Sequence, residues 1–507
     1  QSRRRFGLGT PLSVGFLLGV LAAAPAAGSE TVVDLGAIDG GQGFTLSNDV
    51  PGFGRALRVG GAIGDVNGDG VEDFAWNGND SGSGQPVYVV FGRAAGFPAL
   101  VEVTDLDGAN GFVVSDLSSR LNAATSVEAA GDVNGDGVDD FAVGANSTGG
   151  AFDSVGFVVY GRRSAFPAAV DILDLDGANG FRIDDYSVWP TGGSSDVFLR
   201  AAGDVNGDGR GDLFVGLPDA DSEPSDGSLN PGAAFVIYGR GVSFPAVFDL
   251  DDIDGGNGFL IPPTPEDFDE LRQDFARSGG YVGDVNGDGR DDFAVGIPFA
   301  EGESGGSEPG FGLGRVEVIY GRTADFPASL DLDALSAAEG FTVLAAGPDE
   351  DVVDLGWSVT DLGDFDGDGF DDVLIGSPGT SPPGPTEESN GGAFVVYGAA
   401  ATAAATAAAI VAGTDGGPRV TAMVPVEFEA PGDVEPEPVP AGAGIDVAGG
   451  DVNGDGVADA IIGNAAVDRT LRVMQAGQFL GCSSISVAID APDNEDSFDF
   501  AIDRLKR

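Results

Sequence analysis

The chain has 507 residues, 42% of them hydrophobic and 33 of them Phe, enough to bury a large core, which excludes general disorder. Its formal charge is −58, with 82 Asp and Glu against 24 Lys and Arg, and such a surface repels phosphate, so a nucleic-acid partner is not expected. There is no histidine and Cys482 is the only cysteine, which removes Ser-His-Asp and Cys-His catalysis, His-ligated metal sites and any intramolecular disulfide.

The first segment reads as an export signal. Arg3, Arg4 and Arg5 precede an apolar stretch from Leu12 to Ala24, and Ala24-Pro25-Ala26 fits a small-residue cleavage site, so residues 1–27 are expected to be a signal peptide. The run Ser2-Arg3-Arg4-Arg5-Phe6 also fits a twin-arginine signal, which would imply a bacterial source. The stretch is too short for a convincing membrane span, and no later segment reaches about 18 apolar residues. A secreted protein without a transmembrane segment is the expectation.

From residue 28 to 480 one pattern recurs. Six loops of the form D-x-[N/D]-x-D-G-x-x-D begin at Asp65, Asp132, Asp204, Asp284, Asp364 and Asp451, each running into an apolar strand. Side-chain oxygens at positions 1, 3, 5 and 9, with the carbonyl of position 7, form a cage of the kind that suits Ca²⁺, and the glycine at position 6 permits the sharp reversal. The candidate ligands of the first loop are Asp65, Asn67, Asp69, the Val71 carbonyl and Asp73; of the second, Asp132, Asn134, Asp136, Val138 and Asp140. The third offers Asp204, Asn206, Asp208, Arg210 and Asp212, and the fourth Asp284, Asn286, Asp288, Arg290 and Asp292. The fifth offers Asp364, Asp366, Asp368, Phe370 and Asp372, and the sixth Asp451, Asn453, Asp455, Val457 and Asp459. Up to six Ca²⁺ are therefore expected. A polar turn without metal competes for any one copy. Six copies with spacing kept favour the ion, because carboxylates converging without a cation repel.

The elements around the loops also repeat. A Gly-Phe strand such as Gly111-Phe112-Val113-Val114 is expected before the loop, and a short strand such as Asp140-Phe141-Ala142-Val143-Gly144 after it. A third ends in Tyr/Phe-Gly, as in Phe157-Val158-Val159-Tyr160-Gly161, and a fourth follows a Phe-Pro turn, as in Val170-Asp171-Ile172-Leu173. Four short strands per repeat describe one propeller blade. The expected fold is all-β, a β-propeller of four-stranded blades, with seven blades favoured and six as the alternative. The string from Asp105 to Phe112, seen again from Leu173 to Phe181 and from Asp252 to Phe259, is expected to be a tight turn between strands.

The regularity fails after Gly398. Residues 399–413 are alanine-rich, Gly416-Gly417-Pro418-Arg419-Val420 starts a strand-like segment, and residues 429–444 read as a Pro/Glu-rich mobile loop. Leu471-Arg472-Val473-Met474 is the expected partner strand of the sixth loop, and residues 481–507 are expected to be a C-terminal extension.

Taken together, residues 31–480 resemble the FG-GAP repeats of integrin α-subunit propellers. The upstream Phe-Gly element is seen as Phe53-Gly54 and loosely as Leu355-Gly356-Trp357. The downstream Gly-Ala-Pro element is seen as Gly216-Leu217-Pro218, Gly296-Ile297-Pro298 and Gly376-Ser377-Pro378, and partly as Gly144-Ala145, with Trp76-Asn77-Gly78 departing from it. The resemblance implies a calcium-pinned, monomeric scaffold acting as a protein- or glycan-binding, cell-adhesion module. The insertions Asp219–Pro231, Phe299–Gly312 and Gly379–Gly392 are the candidate recognition surfaces. The alternatives are a hydrolase of phosphodiester or glycosidic bonds, since related propellers accompany phospholipase D-type and carbohydrate-active domains, or a purely structural surface component. No catalytic residue is assigned. Arg210-Gly211-Asp212 spells a tripeptide that many integrins recognise, but Asp212 closes the third loop and is expected to face an ion.

Overall fold

The computed structural model describes residues 44–47, 60–77, 86–94, 96–115, 121–147, 154–184, 197–218, 232–263, 275–300, 313–344, 354–378 and 392–400, with the backbone of short strands between residues 408 and 488. Strands β1 (Thr45–Ser47), β2 (Gly60–Gly64), β3 (Asp73–Asn77), β4 (Val87–Val90), β5 (Leu100–Glu102) and β6 (Gly111–Ser115) come first. They are followed by β7 (Leu121–Gly131), β8 (Asp140–Ser147), β9 (Ser154–Val159), β10 (Ala169–Asp171) and β11 (Gly180–Asp184). Next are β12 (Phe198–Gly203), β13 (Asp212–Leu217), β14 (Ala233–Ile237), β15 (Val247–Asp249), β16 (Gly258–Ile261), β17 (Ser278–Gly283), β18 (Asp292–Ile297), β19 (Arg315–Ile319) and β20 (Gly340–Leu344). Last are β21 (Ser358–Gly363), β22 (Asp372–Ser377), β23 (Gly392–Val396), β24 (Ala408–Ala409), β25 (Val420–Thr421), β26 (Ile445–Gly450), β27 (Asp459–Asn464), β28 (Thr470–Met474) and β29 (Ile485–Ala488).

Among the described residues these strands build six antiparallel four-stranded sheets, β2-β3-β4-β6, β7-β8-β9-β11, β12-β13-β14-β16, β17-β18-β19-β20, β21-β22-β23-β25 and β26-β27-β28-β29. The first strands pack side by side in the order β2, β7, β12, β17, β21, β26, so the sheets stand as blades. The only helical turns among the described residues are short 3₁₀ segments such as Ile172–Asp174. The fold is all-β, of propeller type. The strand-like segments at Val420 and Leu471 fall in β25 and β28. β29 lies within residues 481–507 and pairs with β28.

The strand order differs from the sequence expectation in two respects. The Gly-Phe strand does not precede its loop but closes the blade of the loop before it: β6 pairs with β4. The segment after the Phe-Pro turn is a fifth strand, parallel to the outer strand of the preceding blade, as β10 is to β6 and β15 to β11. β5 stands in the same parallel relation to β1. The first strands of two blades carry little strand signal because they are rich in glycine and hold a single β-branched residue each: β2 reads Gly-Gly-Ala-Ile-Gly and β17 Ser-Gly-Gly-Tyr-Val-Gly. These strands crowd at the blade axis, where a Cβ on Gly280 would lie 2.8 Å from the Ala201 carbonyl oxygen.

The core lies between blades. One apolar cluster joins Val66, Val89 and Phe112 to Phe141, Val143 and Phe157, and another joins Phe214, Val236 and Phe259 to Phe293 and Val295. Each buried Phe contributes roughly 1.5–3 kcal/mol of burial. The Phe of each Phe-Pro turn stacks on the outer-strand Phe of the blade before it: Phe166 on Phe112 at 4.4 Å, Phe244 on Phe181 at 4.1 Å and Phe326 on Phe259 at 4.5 Å between ring centroids. An arginine covers the other ring face, with Arg162 4.1 Å, Arg240 4.4 Å and Arg322 4.0 Å from the ring centroids, a cation–π contact. Blades are also joined near the first strand, where the Ser278 hydroxyl donates to the Gly356 carbonyl at 2.7 Å. That same carbonyl packs against Gly296, so the Gly-Ala-Pro glycine of one blade receives the Phe-Gly element of the next.

Candidate metal centres

Each of the five described acidic loops joins the first strand of a blade to the second, and its own carboxylates hold its shape. Asp65 accepts the backbone N–H groups of Asp69 at 2.9 Å and Gly70 at 2.7 Å. Asp132, Asp204, Asp284 and Asp364 make the same pair of bonds. The position-5 carboxylate accepts the position-7 N–H, as Asp69 does from Val71 at 2.9 Å. Gly70 has φ +88°, a conformation that leaves the reversal to glycine.

The closing aspartate at position 9 begins the second strand and is buried. Asp140 Oδ1 accepts the Gly161 N–H at 2.8 Å and Oδ2 the Val133 N–H at 3.1 Å. Asp212 does the same with Gly239 and Val205, and Asp292 with Gly321 and Val285. Asp372 takes Gly398 and Phe365, and Asp73 takes Gly92 and Asn67. The glycine of the Tyr/Phe-Gly strand is therefore part of the site, a role that the sequence reading missed although the dipeptide recurs. Burial is the main cause that pushes these carboxyls up, to about 7 at Asp73 and Asp372 and to about 8 at Asp140, Asp212 and Asp292. The charges at positions 1 and 5 add to the rise at Asp73, Asp140, Asp212 and Asp292, and backbone N–H groups oppose it at every one of the five. A cation among these oxygens would favour the ionised form.

In the five described loops the residues at positions 1, 5 and 9 shape and anchor one loop, but among the described residues only the fifth gathers three carboxylates closely enough to share an ion. In the fifth, oxygens of Asp364, Asp366 and Asp372 lie within 4.8 Å of one another. In the other four, the position-3 asparagine turns its Nδ2 toward the closing carboxylate, at 3.2 Å from Asn134 to Asp140 and 3.3 Å from Asn286 to Asp292. A half-turn of the amide presents Oδ1 instead. The donor set is then all oxygen and fits a hard divalent cation better than a soft one. Asp451, Asn453, Asp455 and Val457 lie outside the described residues, and Asp459 is described only as backbone at the start of β27. Residues 1–27, Phe53-Gly54, residues 429–444 and most of the three long insertions also lie outside them.

Neighbouring loops are linked. The residue after the Tyr-Gly glycine donates its N–H to the position-2 carbonyl of the preceding loop: Arg162 to Val66 at 2.8 Å, Arg240 to Val133 at 2.9 Å, Arg322 to Val205 at 2.8 Å and Ala399 to Val285 at 2.8 Å. Within Arg210-Gly211-Asp212 the aspartate is fully buried and turned into its loop. The string from Asp105 to Phe112 is a turn: Gly108, at φ +90°, donates to the Gly111 carbonyl at 2.8 Å, and Asn110 Oδ1 accepts the Asp107 N–H at 3.0 Å.

The family model for the FG-GAP repeat matches residues 277–307 and 356–397. The chain is 33% identical over 183 residues to phosphatidylinositol-glycan-specific phospholipase D of Rattus norvegicus, covering 36% of this chain and 18% of that protein. The Homo sapiens protein of the same name is 30% identical over 187 residues. Integrin alpha ina-1 of Caenorhabditis elegans is 29% identical over 179 residues, covering 34% of this chain and 14% of that protein. The chain thus spans less than a fifth of the length of these curated relatives. These matches fall on the scaffold of four-stranded blades, so the chain carries FG-GAP repeats and is similar in this part to integrin alpha chains. No helix among the described residues is long and apolar enough to cross a membrane.

Proposed function

We propose that the chain is a secreted, calcium-stabilised propeller that binds an extracellular protein or glycan in an adhesion-type role. The observation that carries this reading is the double use of the loops. The residues that would hold the ion also receive hydrogen bonds from the third strand of their own blade, while the loop backbone accepts one from the next blade. When bound, calcium would neutralise the converging carboxylates. The chain's own residues set the geometry: positions 1 and 5 shape the loop, and position 9 anchors it to the sheet. A site held at a hundred times its dissociation constant contributes about 2.7 kcal/mol, so several sites rival the typical 5–15 kcal/mol stability of a domain.

Metal analysis of the purified protein is expected to find several Ca²⁺ per chain, up to six, and excess EGTA to lower the melting temperature steeply. An unchanged melt in EGTA would sink the structural role of the ion. A glycan and extracellular-matrix array probed with and without calcium tests the binding role, and a purely structural surface component would leave it blank. The relatives named as phospholipases D favour a hydrolase as the second reading. Turnover of a phosphodiester or glycoside substrate by the purified chain would establish it.

A further inference from the structure

Three arginines occupy the seams between neighbouring acidic loops, and they come from two different positions of the repeat. In the first seam, between the loops starting at Asp65 and Asp132, the arginine is Arg163, two residues beyond Gly161. It donates to the Gly137 carbonyl and, at 3.4 Å, to the Asp136 carbonyl, and its Cγ lies 2.6 Å from where a Cβ on Gly68 would stand. Position 7 of the second loop is then Val138. In the second seam the arrangement is exchanged: position 7 is Arg210, and the counterpart of Arg163 is Gly241, where a Cβ would lie 2.6 Å from Arg210 Nη2. A Cβ on Gly135 of the loop before would lie 2.8 Å from Arg210 Nε. In the third seam position 7 is Arg290 and the counterpart is Thr323, and both line the space over Gly207. The fourth seam carries Phe370 and Ala400 and has no arginine at either position.

The guanidinium groups choose different acceptors. Arg163 binds backbone carbonyls and leaves the carboxylates of the second loop to themselves. Arg210 Nη1 lies 3.1 Å from Asp208 Oδ2, and Arg290 Nη1 lies 3.1 Å from Asp288 Oδ2. Those carboxylates are the position-5 ligands of their loops. A cation entering either loop must draw on a carboxylate already paired and must tolerate a fixed positive charge beside it. The fifth loop is the opposite case, with a fourth carboxylate at Asp366 and the neutral Phe370 at position 7. Ligand charge is one of the two means by which calcium loops tune affinity.

We propose that Arg210 and Arg290 hold the third and fourth loops at lower calcium affinity than the first, second and fifth, so that these two release the ion first as free calcium falls. This rests on the reading of the loops as calcium sites. The ion pairs themselves are half-exposed and weak. Repulsion between the guanidinium and the ion adds to the pairing where the arginine sits on a ligand carboxylate, as Arg210 and Arg290 do and Arg163, held on backbone carbonyls, does not.

The test is calcium titration of the full chain against a chromophoric chelator, with bound metal counted after dialysis at graded free calcium. The wild type is expected to show two classes of site, with two ions in the weaker class. Replacing both arginines by the valine found in the first two loops, Arg210→Val with Arg290→Val, is expected to tighten that class about tenfold or more. Phe370→Arg, which moves the charge to the fifth loop, is expected to transfer one ion to the weaker class. A single affinity class in the wild type, or unchanged constants in both variants while calcium still binds, overturns the proposal alone. No calcium bound by the wild type at millimolar concentration overturns the underlying reading as well.

Discussion

Asp204 and Asp291 lie 87 residues apart, in different blades, and the Asp291 carboxylate accepts the backbone N–H of Asp204 at 2.7 Å. Asp371 holds Asp284 in the same way at 2.7 Å, and Asp139 holds Asp65 at 2.8 Å. These acceptors are position 8 of their loops, outside the metal-ligand set. They tie the start of one loop to the end of the next. Asp291→Ala is expected to cost about 1–2 kcal/mol, and Asp291→Asn, which keeps an oxygen acceptor, less than half of that. Urea unfolding in saturating calcium measures both, and equal losses would show that charge rather than the hydrogen bond matters.

Two glycines should respond to alanine for different reasons. A Cβ on Gly296 would penetrate both Ser278 Oγ and the backbone carbonyl of Gly356, which cannot move without parting two blades. Gly289 has φ +83° and open space around it. Gly296→Ala is expected to cost roughly 3 kcal/mol or more, and Gly289→Ala about 1–2 kcal/mol of left-handed strain. Thermal unfolding of the pair checks the order. A milder Gly296→Ala would mean that the interblade joint is more compliant than the contact implies.

Glu317 is a buried charge at a place that other blades give to an aromatic ring. It pairs with Val295 across the sheet, as Phe157 does with Val143, Phe235 with Val215 and Phe394 with Ile375. It accepts the Thr342 hydroxyl at 2.7 Å and lies 3.4 Å from Arg315 Nε. Glu317→Gln is expected to cost about 2–3 kcal/mol, since it leaves Arg315 with less compensation. The double change Arg315→Ala with Glu317→Phe, which copies the third blade, is expected to match or exceed wild-type stability. A double variant weaker than Glu317→Gln would refute the equivalence of the blades at this position.

Asp361, on β21, carries a carboxyl pushed up to about 6, chiefly by burial and further by Asp371 and Asp291, while the N–H of Gly363 opposes the rise. Tyr281 faces the same group. With the folded value above the ordinary 3.8, its contribution to stability is full below about pH 4 and is lost as pH rises through 6. Asp361→Asn keeps an oxygen for Gly363 and is expected to add about 1–2 kcal/mol at pH 7, discounted for partial exposure, and nothing at pH 4. Melting curves from pH 4 to 8 at fixed calcium would reveal a flat difference if the carboxyl were unshifted.

The acidic loops and the blade class were legible because their chemistry is local: a spacing of carboxylates, a glycine for the reversal, short β-branched runs. The first strands were not legible, since β2 and β17 owe their strand form to crowded packing and not to propensity. Nor could spacing show that Gly161 completes the second loop, because the third strand of the blade folds back to bring it there, or that Arg163 and Arg210 fill equivalent seams, because that relation crosses from one blade to the next. The Gly-Phe strand was placed one blade out for the same reason, as its partner β4 lies before the turn and not after it.

The contact between Gly296 and the Gly356 carbonyl places the two halves of one motif on opposite sides of a joint. A segment of gene running from one Phe-Gly element to the next Gly-Ala-Pro element therefore encodes no single blade; it encodes a tenon for the blade behind and a mortise for the blade ahead. A whole blade carries both parts, so duplicating one in tandem would lengthen the array with every new joint already matched.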